Sequence, residues 1–237
     1  MKGILNYIAE LFYPPRCALC GELTEPGRKR ECFCARCRGI WETEKNAVCP
    51  ECRRRADECR CMPKYNVSHT VDSYRTAALY NSENVRAIIR KIKTDRDPAL
   101  EALLARDIAN LILKYHRIDG DSVLAYPQRA RESVKKYGFD HAALLCDRVS
   151  GYIGIPVFRG IKHKSGKQQK TLSAHERGYN AVKSYYIPEK YKAQIKNKRV
   201  IFVDDVVTTG ATTVVCAALG KAAGADSVSV FSIARTP

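Results

Sequence analysis

One stretch, residues 200–213, constrains the fold of this chain more than any other. Its four apolar residues at 200–203 are too few for a helix and are typical of a strand buried on both faces of a parallel sheet. Asp204 and Asp205 follow this strand, and ligands bind at the carboxyl ends of such strands. A helical pattern then covers residues 214–223. The stretch therefore predicts an α/β fold with an acidic pair that faces a ligand.

The loop between the acidic pair and this helix has the composition of a phosphate-binding turn. Its small side chains leave room for backbone amides to face an anion at the helix N-terminus. We expect these contacts from Val207, Thr208, Thr209, Gly210, Ala211 and Thr212. The alternative is an ordinary strand with two solvated aspartates and a threonine that caps the next helix.

The same stretch resembles the phosphoribosyl-pyrophosphate (PRPP) motif of type I phosphoribosyltransferases, which runs from an apolar strand through two acids to Thr-Thr-Gly-Ala-Thr. The resemblance implies that Asp204 and Asp205 position the ribose, and that residues 208–212 hold the 5′-phosphate. It implies Mg²⁺ that is recruited mainly by PRPP oxygens. In this fold the pyrophosphate would be held by the turn after an earlier strand, which here contains Pro127, Gln128 and Arg129.

Cysteines are concentrated near the N-terminus, where nine of the eleven lie at or before Cys61. Close pairs of cysteines in a reducing compartment are typical of zinc ligands, because a two-residue gap lets both thiolates reach one tetrahedral ion. We interpret them as two structural zinc ribbons, with Cys17, Cys20, Cys34 and Cys37 in the first and Cys49, Cys52, Cys59 and Cys61 in the second. An interleaved pairing, a single occupied site and competition of Cys32 with Cys34 stay open, and an iron–sulfur cluster is a less favoured use of these cysteines.

Residues 16–65 are thus predicted to form a double zinc ribbon whose metal, at on the order of 10 kcal/mol per site, replaces a large apolar core. Apolar spacing at residues 1–15 predicts an amphipathic helix, which we interpret as docking on the protein's own body rather than on a membrane or a partner. The phosphoribosyltransferase-like domain would span residues 66–237, with Cys146 and Cys216 buried in it as small apolar side chains. Its predicted strands are 71–80, 123–126, 155–158 and 227–233, and its predicted helices are 85–93, 99–115 and 137–150.

Positive charge is concentrated in the second of these parts. Residues 1–65 hold 13 Lys/Arg against 9 Asp/Glu, whereas residues 66–237 hold 28 against 16, a formal charge of +12. This balance suits a polyanionic ligand, either PRPP or nucleic acid. Residues 159–180 are basic and lack a regular pattern, and we interpret them as a flap over the ligand rather than an ordinary exposed loop. Its candidate contacts are Lys162, Lys164, Lys167, Gln169, Lys170 and Arg177.

The chain lacks the apolar run of about 20 residues that a membrane span requires. Its first 15 residues include Glu10 and have no small-residue cleavage site, so they do not resemble a secretory signal. We expect a cytoplasmic protein and leave open a peripheral association with the inner face of the membrane.

A cysteine-rich double ribbon before a phosphoribosyltransferase-like domain resembles the ComF family, the competence-associated proteins of bacterial DNA uptake. The resemblance extends over essentially the whole chain and includes Cys17-x-x-Cys20 after a double proline. Further stretches that fit are residues 80–93, which end in a lysine, residues 137–141, where the family tends to have Arg-Gly-Phe-Asn-Gln, and residues 169–180. Two departures, residues 125–127 in place of Pro-Val-Pro and Tyr137 in place of arginine, affect the expected pyrophosphate contacts.

The family resemblance implies a natural-transformation protein that binds PRPP and single-stranded DNA and works with the DNA-uptake machinery. The alternative is a metabolic phosphoribosyltransferase that transfers ribose 5-phosphate from PRPP to a nitrogen acceptor. Enzymes of that kind generally recognise the acceptor base through a hood or C-terminal segment, and Pro237 directly follows the last predicted strand. We therefore rank the transformation role first and leave transferase activity open.

Overall fold

The computed structural model describes residues 14–24, 31–62, 64, 69–164 and 184–237. The predicted helix at 1–15 lies almost entirely outside these residues, as do Lys167, Gln169, Lys170 and Arg177 of the predicted flap. Within the described ranges, no helix is both long enough and apolar enough to cross a bilayer.

A five-stranded parallel sheet forms the centre of the described chain, with its strands in the order β1-β7-β6-β2-β3. Their bounds are Ser73–Leu79 for β1, Ser122–Ala125 for β2, Val157–Phe158 for β3, Arg199–Val207 for β6 and Ser227–Arg235 for β7. A separate antiparallel pair joins β4 (Lys162–His163) to β5 (Tyr185–Tyr186). The predicted parallel sheet flanked by helices is confirmed.

Strand β6 is buried on both faces of the sheet, as its apolar run predicts. Ile201 and Val203 pack into the apolar cluster on one face, and Val200 and Phe202 pack into the cluster on the other. The prediction that the strand ends at residue 203 was wrong. Backbone pairing with β7 continues as far as Val207, so the two aspartates lie within the strand rather than after it.

Besides the 3₁₀ helix Ala56–Glu58, seven α-helices flank or extend the sheet in the described part of the chain. They are α1 (Ala35–Lys45), α2 (Glu83–Thr94), α3 (Pro98–Tyr115), α4 (Arg131–Tyr137), α5 (His141–Ile153), α6 (Glu189–Lys192) and α7 (Ala211–Ala222). Buried side chains of α2, α3 and α5 cover one face, and those of α7 cover the other. The side chains of Ser82, Asp97 and Asp140 cap α2, α3 and α5 by accepting hydrogen bonds from first-turn amides.

The predicted helix at 137–150 was wrong at its start. Gly138 has a φ of 79°, in the left-handed region, and ends α4. Asp140 then begins α5 by accepting hydrogen bonds from the amides of Ala142 and Ala143. This break places His141 at the first position of α5, where the helix meets β6. The flap prediction also changes, because Lys162 and His163 form a short strand.

The cysteine-rich segment shares a core with the sheet. Trp41 of α1 is fully buried, and its Nε1 donates a hydrogen bond to Asp107 Oδ2 of α3 at 2.8 Å. Lys45 Nζ lies 3.2 Å from the other oxygen of the same carboxylate. Phe33 and Trp41 belong to the same buried apolar cluster as Ile88 and Leu104, so the first ribbon packs directly on α2 and α3.

Candidate functional site

Residues 208–212 form a cradle where β6 passes into α7. Gly210 has a φ of 80° and is the N-cap residue of α7. Because glycine has no side chain, it cannot cap the helix, and the first-turn amides remain directed out of the N-terminus. Thr209 Oγ1 accepts a single weak hydrogen bond from Ala211 N at 3.4 Å. This arrangement favours an anion at the helix N-terminus.

A cavity of about 360 Å³ opens above this cradle. The predicted ligand-binding residues that line it are Asp204, Asp205, Val207, Thr208, Thr209, Gly210, Ala211, Thr212, Pro127 and Arg129. Gln128 lies in the same turn as Arg129 but is not part of the cavity wall. The structure thus brings together the two turns that the resemblance assigns to the 5′-phosphate and the pyrophosphate.

The cavity opens beside β6 because its neighbour β2 is shorter. Ala125, the last residue of β2, pairs with Phe202, so the aspartates extend beyond the end of β2. On the other side of β6, strand β7 continues to Arg235, which pairs with Val207. The backbone of Asp204 and Asp205 is therefore paired with β7 on one edge and lies beyond the end of β2 on the other.

The two aspartates point in opposite directions because successive side chains of a strand alternate between faces. Asp205 is 4% exposed and lies on the face covered by α2 and α5. His141 Nε2 contacts its Oδ2, and Lys93 Nζ lies 3.2 Å from its Oδ1. Asp204 lies on the α7 face, where Thr213 Oγ1 is 3.5 Å from its Oδ2.

These surroundings shift the pKa values of the two carboxyl groups in opposite directions. Burial, reinforced by the charge of Asp205, raises the pKa of Asp204 well above its usual range. Burial also raises the pKa of Asp205, but the hydrogen bond from His141 and the charge of Lys93 outweigh it and hold this pKa below its usual range. Asp205 is thus a stably ionised carboxylate whose two oxygens are both engaged. Asp204 is the carboxylate that changes its protonation state more readily.

Several cavity residues were not assigned to the site from sequence. They are Lys93, His141, Ala142, His163, Ser184, Tyr185, Val206 and Thr213. Lys93 and His141 are parts of stretches that fit the ComF family, but no local pattern connects them to Asp205. Two nitrogen atoms near the cavity, His141 Nδ1 and Arg129 Nη1, are buried and have no hydrogen-bond partner among the described residues.

The two predicted flap lysines that the structure describes lie away from the cavity wall. Lys162 Nζ is 5.7 Å from the ring centroid of Tyr191, and Lys164 Nζ is 5.9 Å from that of Tyr186. Both lysines therefore contact tyrosines beside the cavity. The remaining flap candidates lie outside the described residues.

The eight predicted zinc ligands form two separate groups in chain order. Within each group the four sulfur atoms lie within 4.8 Å of one another. Cys20 Sγ and Cys34 Sγ are 3.8 Å apart, and Cys52 Sγ and Cys59 Sγ are 3.6 Å apart. Four thiolates at about 2.3 Å from one tetrahedral zinc ion would be separated by about 3.8 Å, so both groups fit the metal.

Cys32 is not a member of either group. It is 6% exposed, and burial raises the pKa of its thiol to about 12. The sulfur of Cys34, by contrast, lies within 4.8 Å of those of Cys17, Cys20 and Cys37. Cys34 therefore completes the first group, and Cys32 packs with Phe33 in the apolar cluster. Cys146 and Cys216 are fully buried, as predicted.

The chain is similar to bacterial proteins named for competence and DNA utilization. No family model matches the chain. It is 22% identical over 224 residues to competence protein F of Haemophilus influenzae, covering 85% of this chain and 96% of that protein. It is 24% identical over 226 residues to the DNA utilization protein YhgH of Escherichia coli K12, covering 93% and 90%. Competence protein ComFC of Streptococcus pneumoniae is 23% identical over 238 residues, covering 93% and 100%. The resemblance to ComF-type competence proteins is confirmed.

Similarity to solved structures is weaker. The allosteric regulatory enzyme of purine biosynthesis aligns at a TM-score of 0.40 and 16% identity, over 61% of this chain and 30% of that one. Purine phosphoribosyltransferase from Pyrococcus horikoshii aligns at a TM-score of 0.34 and 20% identity, over 56% and 81%. Both alignments cover only part of the chain.

The two cysteine groups predict how metal content responds to substitution. Cys37→Ser removes one ligand from the first group, so the purified protein should contain one zinc ion fewer than the wild type. Cys32→Ser is the matched control, because it changes a neighbouring buried cysteine outside both groups, and it should leave the zinc content unchanged. Elemental analysis of both proteins measures this. A loss of zinc in the Cys32 variant would assign that residue to the metal site.

The opposite pKa shifts of Asp204 and Asp205 predict opposite effects of pH on the free energy of unfolding. The folded-state pKa of Asp204 is raised, so wild-type stability falls as pH rises from about 4 through that pKa. Asparagine does not titrate, and Asp204→Asn should therefore gain stability relative to the wild type with increasing pH. Asp205 has a lowered folded-state pKa, so its ionised form stabilises the protein at neutral pH. Asp205→Asn should lose about 1–3 kcal/mol there. Urea denaturation between pH 5 and pH 8 measures both, and equal effects of the two substitutions would contradict the assignment.

Proposed function

We propose that this chain, which resembles the ComF-type competence proteins over most of its length, serves natural transformation by binding PRPP and single-stranded DNA. Similarity to proteins named for competence and DNA utilization supports the role in DNA uptake or use. The observation that carries the PRPP part is the cradle at Gly210, which opens into the same cavity as Asp204 and Arg129.

The parts of PRPP match the parts of this cavity. The 5′-phosphate would bind the amides of residues 208–212, where a left-handed glycine precedes the positive end of a helix. The pyrophosphate would lie near Arg129, whose Nη1 is buried and has no protein partner among the described residues. An unpaired buried guanidinium nitrogen is costly, and a ligand phosphate would supply the missing acceptor.

The ribose would lie between these two phosphate sites, next to Asp204. Asp205 is already engaged by Lys93, His141 and the amide of Val206, whose nitrogen is 2.5 Å from its Oδ1. Asp204 therefore contacts the ribose hydroxyls, and Asp205 holds the end of β6 in place. This refines the expectation that both carboxylates meet the sugar.

Magnesium would enter with PRPP rather than reside in the protein beforehand. Mg²⁺ prefers oxygen ligands and is commonly bound through one or two carboxylates and substrate phosphates. Asp204 is the carboxylate that fits this role, since among the described residues its oxygens accept only from the Asp205 amide and the Thr213 hydroxyl, whereas those of Asp205 are paired with Lys93 and His141. The ion would neutralise the pyrophosphate charge, and the chain itself would orient the phosphates and the sugar.

Single-stranded DNA would bind the basic surface beside the cavity. Residues 66–237 carry 28 Lys/Arg against 16 Asp/Glu, and six of these 28 lie in the flap sequence, residues 159–180. Lys162 and Lys164 lie beside Tyr191 and Tyr186, so cations and aromatic rings alternate here. Such surfaces bind single strands through phosphate contacts and base stacking. We propose a cytoplasmic location for this protein.

A metabolic phosphoribosyltransferase is the second candidate. One observation favours it, namely the rings of His163 and Tyr185, which both line the cavity and are 5.0 Å apart in an edge-to-face arrangement. Aromatic side chains at this position could stack on an acceptor base. The relatives named for competence and DNA utilization keep this candidate second.

The cradle predicts that PRPP with Mg²⁺ raises the melting temperature of the wild-type protein. At a hundredfold excess over the dissociation constant, the linked stabilisation is about 2.7 kcal/mol. Gly210→Ala strains the left-handed N-cap and should abolish this shift. Gly154→Ala is the matched control, because Gly154 has a φ of 72° at the end of α5, away from the cavity wall. No shift of the wild type at millimolar PRPP would refute PRPP binding.

In cells, the same pair of variants separates the two candidate functions. Gly210→Ala should reduce transformation and leave growth without supplied nucleobases normal, while Gly154→Ala should affect neither. Impaired growth with normal transformation would instead favour the metabolic enzyme.

The basic surface predicts a steep salt dependence of single-stranded DNA binding. The slope of log affinity against log salt changes by roughly 0.7 for each phosphate that the protein no longer neutralises. Neutralising Lys162, Lys164, Lys167 and Lys170 together should therefore flatten the slope by up to about 3. The matched control neutralises Lys91, Lys114, Lys198 and Lys221, each of which lies within 3.0 Å of a carboxylate oxygen. Equal effects of the two sets would exclude a flap-centred DNA site.

A further inference from the structure

Arg235, the last residue of β7, joins the second cysteine group to the sheet. Its side chain is 5% exposed, although arginine is rarely buried without partners. Nη1 donates a hydrogen bond to Cys61 O at 3.0 Å and lies 3.5 Å from Cys59 Sγ. Nη2 lies 2.9 Å from Glu51 Oε2. One guanidinium therefore binds three residues of the second ribbon.

The backbone of the same residue supports the phosphate cradle. Arg235 pairs with Val207 in the β6–β7 register, and Thr236 N donates a hydrogen bond to Val207 O at 3.0 Å. Val207 is the last residue of β6, and Thr208 begins the cradle. On the other side, Tyr80 N donates to Arg235 O at 2.6 Å, which ties this end of β7 to β1.

A single cleft borders both the second ribbon and the cradle. Glu51, Met62 and Lys64 line it from the ribbon side, Thr208 lines it from the cradle, and Arg235 lies between them. Movement of the second ribbon on its side of this cleft therefore changes the packing around Thr208, the first residue of the cradle. The ribbon geometry depends on its thiolates, because metal loss frees them from a common centre and removes the free energy that orders the segment.

We propose that Arg235 is a positioning residue that couples metal binding by Cys49, Cys52, Cys59 and Cys61 to phosphate binding by the cradle. When zinc occupies the second group, the ribbon holds the side chain of Arg235, and the neighbouring strands hold its backbone. The Val207–Thr208 junction is then fixed. With the metal removed, the buried guanidinium loses its ordered acceptors and the junction relaxes. The coupling rests on the proposed PRPP function and adds to it a dependence on zinc.

The first cysteine group provides an internal comparison. It contacts the sheet domain through Phe33 and Trp41, which pack on α2 and α3. Among the described residues, no hydrogen bond joins Cys17, Cys20 or their neighbours to β6 or β7. Metal loss from the first group should therefore weaken the packing of that ribbon without altering the cradle.

Thermodynamic linkage makes the coupling measurable from either site in the wild-type protein. If metal raises ligand affinity by some factor, the ligand must raise metal affinity by the same factor. The probe is PRPP with Mg²⁺, and zinc transfer to a chromogenic chelator is followed at increasing chelator concentrations. We expect PRPP to raise the affinity for one of the two zinc equivalents by about tenfold, within the usual range of couplings between sites.

Variants assign the effect to Arg235. Arg235→Leu should weaken PRPP binding by about tenfold in calorimetry and abolish the protection of zinc by PRPP. Arg235→Lys keeps the charge and can reach one acceptor, so it should recover part of both effects. Cys61→Ser should weaken PRPP binding, and Cys20→Ser, which removes a ligand of the first group, should not.

Two outcomes would overturn the coupling while leaving PRPP binding intact. One is wild-type protein that binds PRPP but releases both zinc equivalents with the same affinity in its presence and absence. The other is equal weakening of PRPP binding by Cys20→Ser and Cys61→Ser. A wild-type protein that does not bind PRPP at all would overturn the proposed function as well, so the two failures are distinguishable.

Discussion

The ion pair between Asp205 and Lys93, extended by His141, is the interaction on which the site depends. A carboxylate that is 4% exposed cannot remain ionised without partners, because burial alone favours its neutral form. Lys93 comes from α2, His141 comes from α5, and Asp205 comes from the central strand. The pair therefore fixes two helices against β6 at the point where β2 has ended, and this keeps the cavity open beside Asp204.

The pleat of β6 gives its two aspartates different surroundings. Consecutive residues face opposite sides of the sheet, so Asp205 meets α2 and α5 whereas Asp204 meets α7. Continuing the strand through both residues makes this separation rigid. An acidic pair in a flexible loop could place both carboxylates on one ligand. Here the strand pairs one carboxylate with Lys93 and His141 and leaves the other at the wall of the cavity.

Local features of the fold and the site could be predicted from sequence. The strand, loop and helix around Gly210 are contiguous, and both cysteine groups arise from short spacings, so each pattern contains its own geometry. Lys93, His141 and Arg235 could not be assigned in the same way, because their partners lie far away in the chain. Their roles depend on strand order and helix placement, which no local periodicity encodes. The break at Gly138 was missed for a related reason, since apolar spacing continues across it while the backbone enters the left-handed region.

The contacts between the second ribbon and the sheet also join residues that lie far apart in the chain. A small cysteine-rich segment has little apolar surface to bury, so its order depends on metal rather than on a core of its own. Arg235 brings that metal-dependent order to the end of β7, and the β6–β7 register transmits it to Val207. The cradle is thus supported from one side by Asp205, which is ionised at neutral pH and paired with Lys93. From the other side it is supported by the second ribbon, whose order depends on its thiolates. In the proposed coupling, a ligand bound at Gly210 would stabilise the junction between them, and the metal site would share the free energy of that stabilisation.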